Sequence, residues 1–318
     1  MKRNGIFSKL FLILVFVFLY APILVLVAFS FNASQSSAVW GGFSLQWYAE
    51  LFQDRYVLEA LQTTLLVSIL SAAIATVAGT AASIGFANMK RRARTVCMTI
   101  NNIPLTNADI ITGVSMMLLF VLALGALNGL FGGLGLRLRL GFGTLLIAHI
   151  TFNIPYVILS VMPKLRQLDP NIFEAAQDLG ATGWYAFRKV ILPEILPGVL
   201  NGALIAFTMS IDDFVISYFT AGSGANTLSM VVYSMVRRRI SPEINALSTL
   251  MFVVVIALMI LINVRQSRQD RRTQAAIRAE RRADGGPGSP LPGAAPPGHA
   301  PAGLENMYFV SERSTREN

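Results

Sequence analysis

Three aspartates sit where carboxylates are rare. Asp109 interrupts the apolar run 94–124, and Asp212 and Asp213 interrupt another that carries no other charge back to Pro197. Inserting an aspartate at the centre of a spanning helix costs about 2.5 to 3.5 kcal/mol, so such residues usually face a bundle interior or an aqueous path. The chemistry open to them is electrostatic, the holding of a cation rather than the making of a bond. Adjacent residues point about 100° apart on a helix, which predicts one of Asp212 and Asp213 toward a pathway and the other toward a polar partner or helix packing. Trp47 could offer an aromatic face to a desolvated cation or anchor the chain at a membrane interface, as Trp40 and Tyr48 could beside it. Groups for catalysis are missing from the pattern. The two histidines are His149, read as a hydrogen-bonded packing residue, and His299 in the tail, and neither has a catalytic pairing. Cys97 is the sole cysteine, no Cys/His set has zinc-ligand spacing, and no G-x4-GK-[ST] loop exists to hold ATP phosphates. Glu243, in SPEIN, reads as a helix-start residue.

The elements that position these residues are helices in a bilayer. Of 318 residues 54% are hydrophobic and 14% charged, outside the range of soluble domains. Six apolar segments are long enough to span, at 10–30, 62–87, 94–124, 144–163, 198–219 and 246–264. The predicted class is all-α and polytopic, with six transmembrane helices. The first segment has a basic start like a signal peptide, but its apolar core is too long and no A-x-A site follows, so it reads as a retained anchor. The net charge of +9 follows topology rather than nucleic-acid binding, because the basic residues cluster between apolar runs. With both termini cytoplasmic, all of the 26 Lys and Arg except Arg55, Arg137, Arg139, Arg237, Arg238 and Arg239 fall inside, as the positive-inside rule asks. In the third segment Asn101, Asn102, Pro104, Asn107 and Asp109 predict a broken helix, with Asp109 some 22 Å from the cytoplasmic end of a straight run. Irregular backbone at that depth is tolerated only beside protein or a wet cavity.

Between the fourth and fifth segments, DPNIFEAAQDLGATGWYAFRKVILPEILPG predicts two short cytoplasmic helices. Asp169 can cap the first with Pro170 at its opening position, Gly180 can end it in the left-handed conformation, and Thr182 can cap a second that Pro193 limits. Glu174, Ala175, Ala176 and Gly180, followed after nine residues by Val190 and then by Leu192 and Pro193, resemble the EAA signature of ABC importer permeases, EAA-x3-G-x9-I-x-LP. Val190 in place of isoleucine is the single departure. The resemblance spans roughly residues 5 to 270. In GFSLQWYAELF, SIDDFVISYFTAG and YSMVRRRISPEINALSTL the chain is similar to the second permease subunit of spermidine/putrescine importers.

That resemblance implies the type I ABC importer permease fold over residues 1–283 and a coupling loop at about 169–193. It implies a translocation pathway for a cationic solute, with Trp47, Asp109, Asp212 and Asp213 as pathway residues and Glu174, Ala175, Ala176, Gly180, Leu192 and Pro193 as ATPase-coupling residues. The implied partners are an ATPase subunit dimer carrying the ATP and magnesium, a second homologous permease, a periplasmic or extracellular substrate-binding protein and the lipid bilayer of the bacterial inner membrane. This chain is expected to hold no cofactor. Ion-coupled transport or a channel, or an ABC permease for a non-polyamine solute, are the alternatives. The intramembrane aspartates fit both transport mechanisms, whereas the EAA loop fits only ATPase coupling. Residues 284–318, a Pro/Gly/Ala-rich tract, are expected to be disordered because they cannot bury enough apolar surface to order themselves. Truncation after Asp284 should leave membrane insertion and transport at wild-type levels; loss of transport at normal membrane abundance would give the tail a role.

Overall fold

A computed structural model of the chain describes residues 4–35, 39–131, 138–169, 171–238, 243–257, 259–260 and 264, all within one compact unit, Met1–Gln266. The tail 284–318, Pro170 and Arg239 lie outside the described residues. The fold is helical: α1 (Asn4–Phe29), α2 (Gln46–Leu51), α3 (Arg55–Asn88), α4 (Arg91–Thr106), α5 (Asp109–Phe131), α6 (Phe142–Gln167), α7 (Ile172–Asp178), α8 (Gly183–Ala186), α9 (Leu192–Asp212), α10 (Val215–Thr220) and α11 (Leu228–Arg238). A shorter apolar helix, α12 (Glu243–Ala257), follows. The isolated bridge between Asn32 and Phe43 is the β pairing among the described residues.

Five of these helical stretches are long and apolar enough to cross a membrane: Lys9–Phe29, Arg55–Asn88, Asp109–Leu130, Phe142–Gln167 and Gly183–Asp212. The sequence predicts six, and the sixth segment is described in part, as α12. The third segment is two helices. Its chain leaves α4 at Asn107, extended at φ −77 and ψ 151, and the apolar span begins afresh at Asp109. Asp109 therefore stands at the start of a span, and the depth reckoned along one straight run does not hold. The fifth segment also breaks, at Asp213, with φ −66 and ψ 126. Pro193 does not end the second loop helix. A π-helical turn, Phe187–Ile191, precedes it and the helix runs on into α9. Proline lacks an N–H and its ring crowds the carbonyl four residues back, and the wider turn just before Pro193 accommodates both.

The core is a three-helix contact of α3, α6 and α9. The buried stripe of α3 is Thr64, Val67, Ser68, Ser71, Ala72, Ala75, Gly79 and Ser83, mostly small residues at helical spacing. Small residues matter because lipid tails are as apolar as leucine, so helices associate by close van der Waals fit. Val157 of α6 shows how close: a Cβ on Gly79 would lie 2.8 Å from its side chain, and one on Gly202 would lie 3.1 Å from its Cα. Val157 is wedged between the backbones of α3 and α9. By contrast α1 buries none of its most apolar stretch within the chain, and Leu10, Phe11, Phe18 and Leu24 point outward. At the end of α3 near Arg55, Trp47, Leu51, Val57, Ala60, Leu228, Val231, Ala246 and Leu247 form a second apolar cluster.

Gly202→Leu should drive a side chain into Val157 and destabilise the fold by about 1 to 3 kcal/mol. Gly85→Ala, where a Cβ meets nothing within 4 Å, should not destabilise it. Thermal unfolding of the purified protein in detergent reads both; equal melting of Gly202→Leu and wild type would contradict the wedge.

Candidate functional site

The break after α9 is organised by a buried histidine. His149 on α6 is almost wholly buried; its Nδ1 lies 2.7 Å from Ser210 Oγ on α9 and its Nε2 lies 3.0 Å from Ser217 Oγ on α10. Nε2 is also 3.6 Å from Asp213 Oδ2. Asp213 in turn accepts the backbone N–H of Ser217 at 2.8 Å and of Ile216 at 3.3 Å, so its carboxylate caps the first turn of α10. Ser210 continues the network to Ser71 on α3 at 3.1 Å, and Asn153 donates to Ser71 at 3.3 Å. One imidazole thus ties α6 to both sides of the break, and α3 joins through two hydroxyls. Aspartate suits this position because its short side chain competes well for local N–H groups, which favours caps over helix interiors.

Asp212 and Asp213 consequently stand on opposite sides of a helix end rather than 100° apart on one helix. Asp213 is turned into internal contacts. Asp212, the last residue of α9, is exposed, and its carboxylate has no ion-pair or hydrogen-bond partner among the described residues. Asp109 is likewise exposed, at the first turn of α5. Trp47 is placed differently. Only 5% of it is exposed, and its Nε1 donates to the Asn32 carbonyl at 2.7 Å, fastening α2 to the chain that follows α1. Near it, Glu243 begins α12, ahead of the sixth apolar segment, where burial and then the charges of Glu50 and Asp54 hold its carboxyl above the usual carboxylate range.

An aromatic cluster follows Asp212 directly and was missed in the sequence. Phe214 stacks obliquely on Tyr233 of α11 at 4.5 Å and on Tyr218 of α10 at 5.5 Å, and Tyr218 meets Tyr233 edge to face at 6.1 Å. The i, i+4 spacing of Phe214 and Tyr218 was the available signal. The Arg237 guanidinium carbon stands over the Tyr233 ring, 5.2 Å from its centre.

The loop 169–193 forms the other candidate surface. Asp169 Oδ1 accepts the N–H of Asn171, while regular helix begins only at Ile172. The end of α7 is a Schellman motif: Ala181 N–H reaches the Ala176 carbonyl at 3.1 Å and Gly180 N–H reaches Gln177 at 2.8 Å, with Gly180 at φ +86. Thr182 then accepts the N–H of Tyr185 and caps α8. Glu174 and Ala175 are exposed and Ala176 is half-buried, while Leu192, at the loop's base, packs against the α3–α6–α9 core and Pro193 stays exposed. Sequence reasoning missed the apolar tip, where Leu179 is 90% and Trp184 71% exposed.

An all-helical membrane fold, a broken α9–α10 span with an unpartnered carboxylate and an exposed EAA hairpin define a permease subunit. Residues 76–275 match the family of binding-protein-dependent transport system inner membrane components, and the chain belongs to that family. It is a multi-pass inner-membrane protein of an ABC importer. Among its relatives, the putrescine transport system permease protein PotI of Escherichia coli K12 is 40% identical over 70% of this chain and 77% of its own. The spermidine/putrescine transport system permease protein PotC of the same strain is 34% identical over 73% and 83%. In fold, a chain of a bacterial ABC transporter that imports alginate aligns with a TM-score of 0.62 at 18% identity, over 84% of this chain and 96% of that one.

Asp213→Ala should remove the α10 cap and destabilise the protein by about 0.5 to 2 kcal/mol. Asp212→Asn, which breaks no internal contact, should melt with the wild type. Thermal unfolding of both variants distinguishes them, and equal melting of all three would contradict the capping role.

Proposed function

We propose that this chain is one of two similar permease subunits of an ATP-driven importer of the polyamines putrescine and spermidine, working by alternating access. The observation that carries the reading is the unpartnered Asp212 carboxylate at the end of α9, in a chain 40% identical to a putrescine permease. A carboxylate at a span's end is tolerated where a path or a cation meets it, and a desolvated ammonium needs such a charge in place of water. Asp212 and Asp109 line the pathway. Asp213 serves it by holding the break, and Trp47 guards the outer entrance by its hydrogen bond to Asn32.

Both termini face the cytoplasm, which puts the EAA hairpin there. An ATPase dimer docks on it, hydrolysing ATP with magnesium, while a substrate-binding protein docks on the outer face and a second permease completes the pathway. Glu174 pairs with a basic group of the ATPase, Ala175 and Ala176 allow close approach, and Gly180 sets the bend. Leu192 and Pro193 join the hairpin to α9. No residue set on this chain performs hydrolysis.

The test is uptake of radiolabelled putrescine and spermidine by the reconstituted importer, normalised to assembled complex. A charge-assisted contact contributes about 1.5 to 3 kcal/mol, so Asp212→Asn and Asp109→Asn should each reduce uptake roughly tenfold or more. Wild-type uptake by both would remove this site, and transport of an anion or a neutral sugar would overturn the polyamine reading. Gly180→Val, strained at φ +86, should weaken co-purification of the ATPase. Unchanged assembly, hydrolysis and uptake would remove the coupling role, and uptake that needs no ATPase would favour an ion-coupled transporter.

A further inference from the structure

The aromatic cluster after Asp212 has a composition that packing alone does not require. Three rings, Phe214, Tyr218 and Tyr233, meet within 4.5 to 6.1 Å of one another, yet Tyr218 is 49% and Tyr233 37% exposed. On α11, Val231 and Leu228 are the buried face, set in the cluster with Trp47. At about 100° per residue, Tyr233 and Arg237 lie about 200° and 240° round the helix from Val231, on the face turned away from that cluster. They meet the rings of α10 instead. The only cation–π contact among the described residues is here, with the Arg237 guanidinium 5.2 Å from the Tyr233 ring centre. The Tyr233 ring face thus already holds a cation.

The electrostatics of a ring face do not distinguish a guanidinium from an alkylammonium ion, since both are drawn by the same quadrupole. A carboxylate two residues from Phe214 supplies the charge that a desolvated ammonium needs and that rings alone cannot give. Arg237 has no carboxylate partner within salt-bridge distance among the described residues, so its hold on the ring is that of a surface cation–π contact. Such a contact is weak enough to exchange.

We propose that the Phe214–Tyr218–Tyr233 cluster is an ammonium-binding wall beside Asp212, and that the Arg237 guanidinium is its tethered occupant, displaced when one amine of the substrate enters. The proposal rests on the polyamine reading and deepens it by assigning the aromatic half of the site and a residue that competes with the substrate for it. Displacement is an exchange of one cation for another on the same face. It sets the apparent affinity low enough for release, because Arg237 returns to the ring as the amine departs.

The experiment is the concentration dependence of putrescine uptake by the full reconstituted importer, with its ATPase, partner permease and loaded binding protein. Arg237→Gln, which removes the competing cation, should lower the apparent KM severalfold with little change in kcat, while Arg237→Lys, which keeps a cation, should stay near wild type. Tyr233→Phe, which keeps the ring face, should raise KM less than Tyr233→Leu. Tyr233→Leu should raise KM severalfold, and if it does not assemble the arginine pair decides alone. An unchanged or raised KM in Arg237→Gln would overturn the competing role, and an unchanged KM in an assembled Tyr233→Leu would overturn the wall. Absence of putrescine and spermidine uptake by the wild-type importer would instead strike the polyamine reading itself.

Discussion

Inside a membrane a polar group must find its partner within the protein, since lipid offers none, and the junction around His149 meets that demand where the chain stops being helical after Asp212. Ending α9 at Asp212 and restarting at Val215 leaves the N–H groups at the head of α10 without carbonyl partners. Asp213 takes two of them, and His149 bridges Ser210 before the break to Ser217 after it. These contacts hold the break without help from Asp212, whose carboxylate makes no hydrogen bond or ion pair among the described residues. The two adjacent aspartates differ in this way, one tied into the break and the other exposed beside it.

The same junction is joined mechanically to the far end of the molecule. Gly183–Asp212 is a run of 30 residues, about 45 Å of helix, which begins in the EAA hairpin and ends at the carboxylate. Its middle is clamped by the close approach of Gly198 and Gly202 to α6. The π turn at Phe187–Ile191 allows the run to be continuous past Pro193. No loop lies between the hairpin and Asp212 along this run.

Much of this was legible in the sequence, because apolar length and charge asymmetry report the bilayer directly. The spans of α1, α3 and α6, the break in the third segment, the Gly180 turn and the Thr182 cap followed from composition and from residues with narrow conformational preferences. Proline misled at position 193, because its usual effect on a helix was offset by the wider turn just before it. Asp212 and Asp213 were found but not separated, since their different fates depend on His149, 63 and 64 positions away in sequence. Trp47 was read from its residue type, which suits an entrance and a core equally; contacts with α11 and α12 decide its burial. The aromatic wall escaped notice because Tyr233 joins it only through tertiary packing.

The central claim, that Asp212 faces an aqueous cation path, is tested most directly by its accessibility to a water-borne reagent. With Cys97, the chain's one native cysteine, replaced by serine, Asp212→Cys provides a single reporter thiol. Reaction of that thiol in the assembled importer with a cationic, membrane-impermeant thiosulfonate should be rapid and should slow when putrescine is supplied on its loaded binding protein. A thiol at 212 that stays unreactive in both the resting and the ATP-driven complex would place the residue against lipid or partner protein and contradict the account.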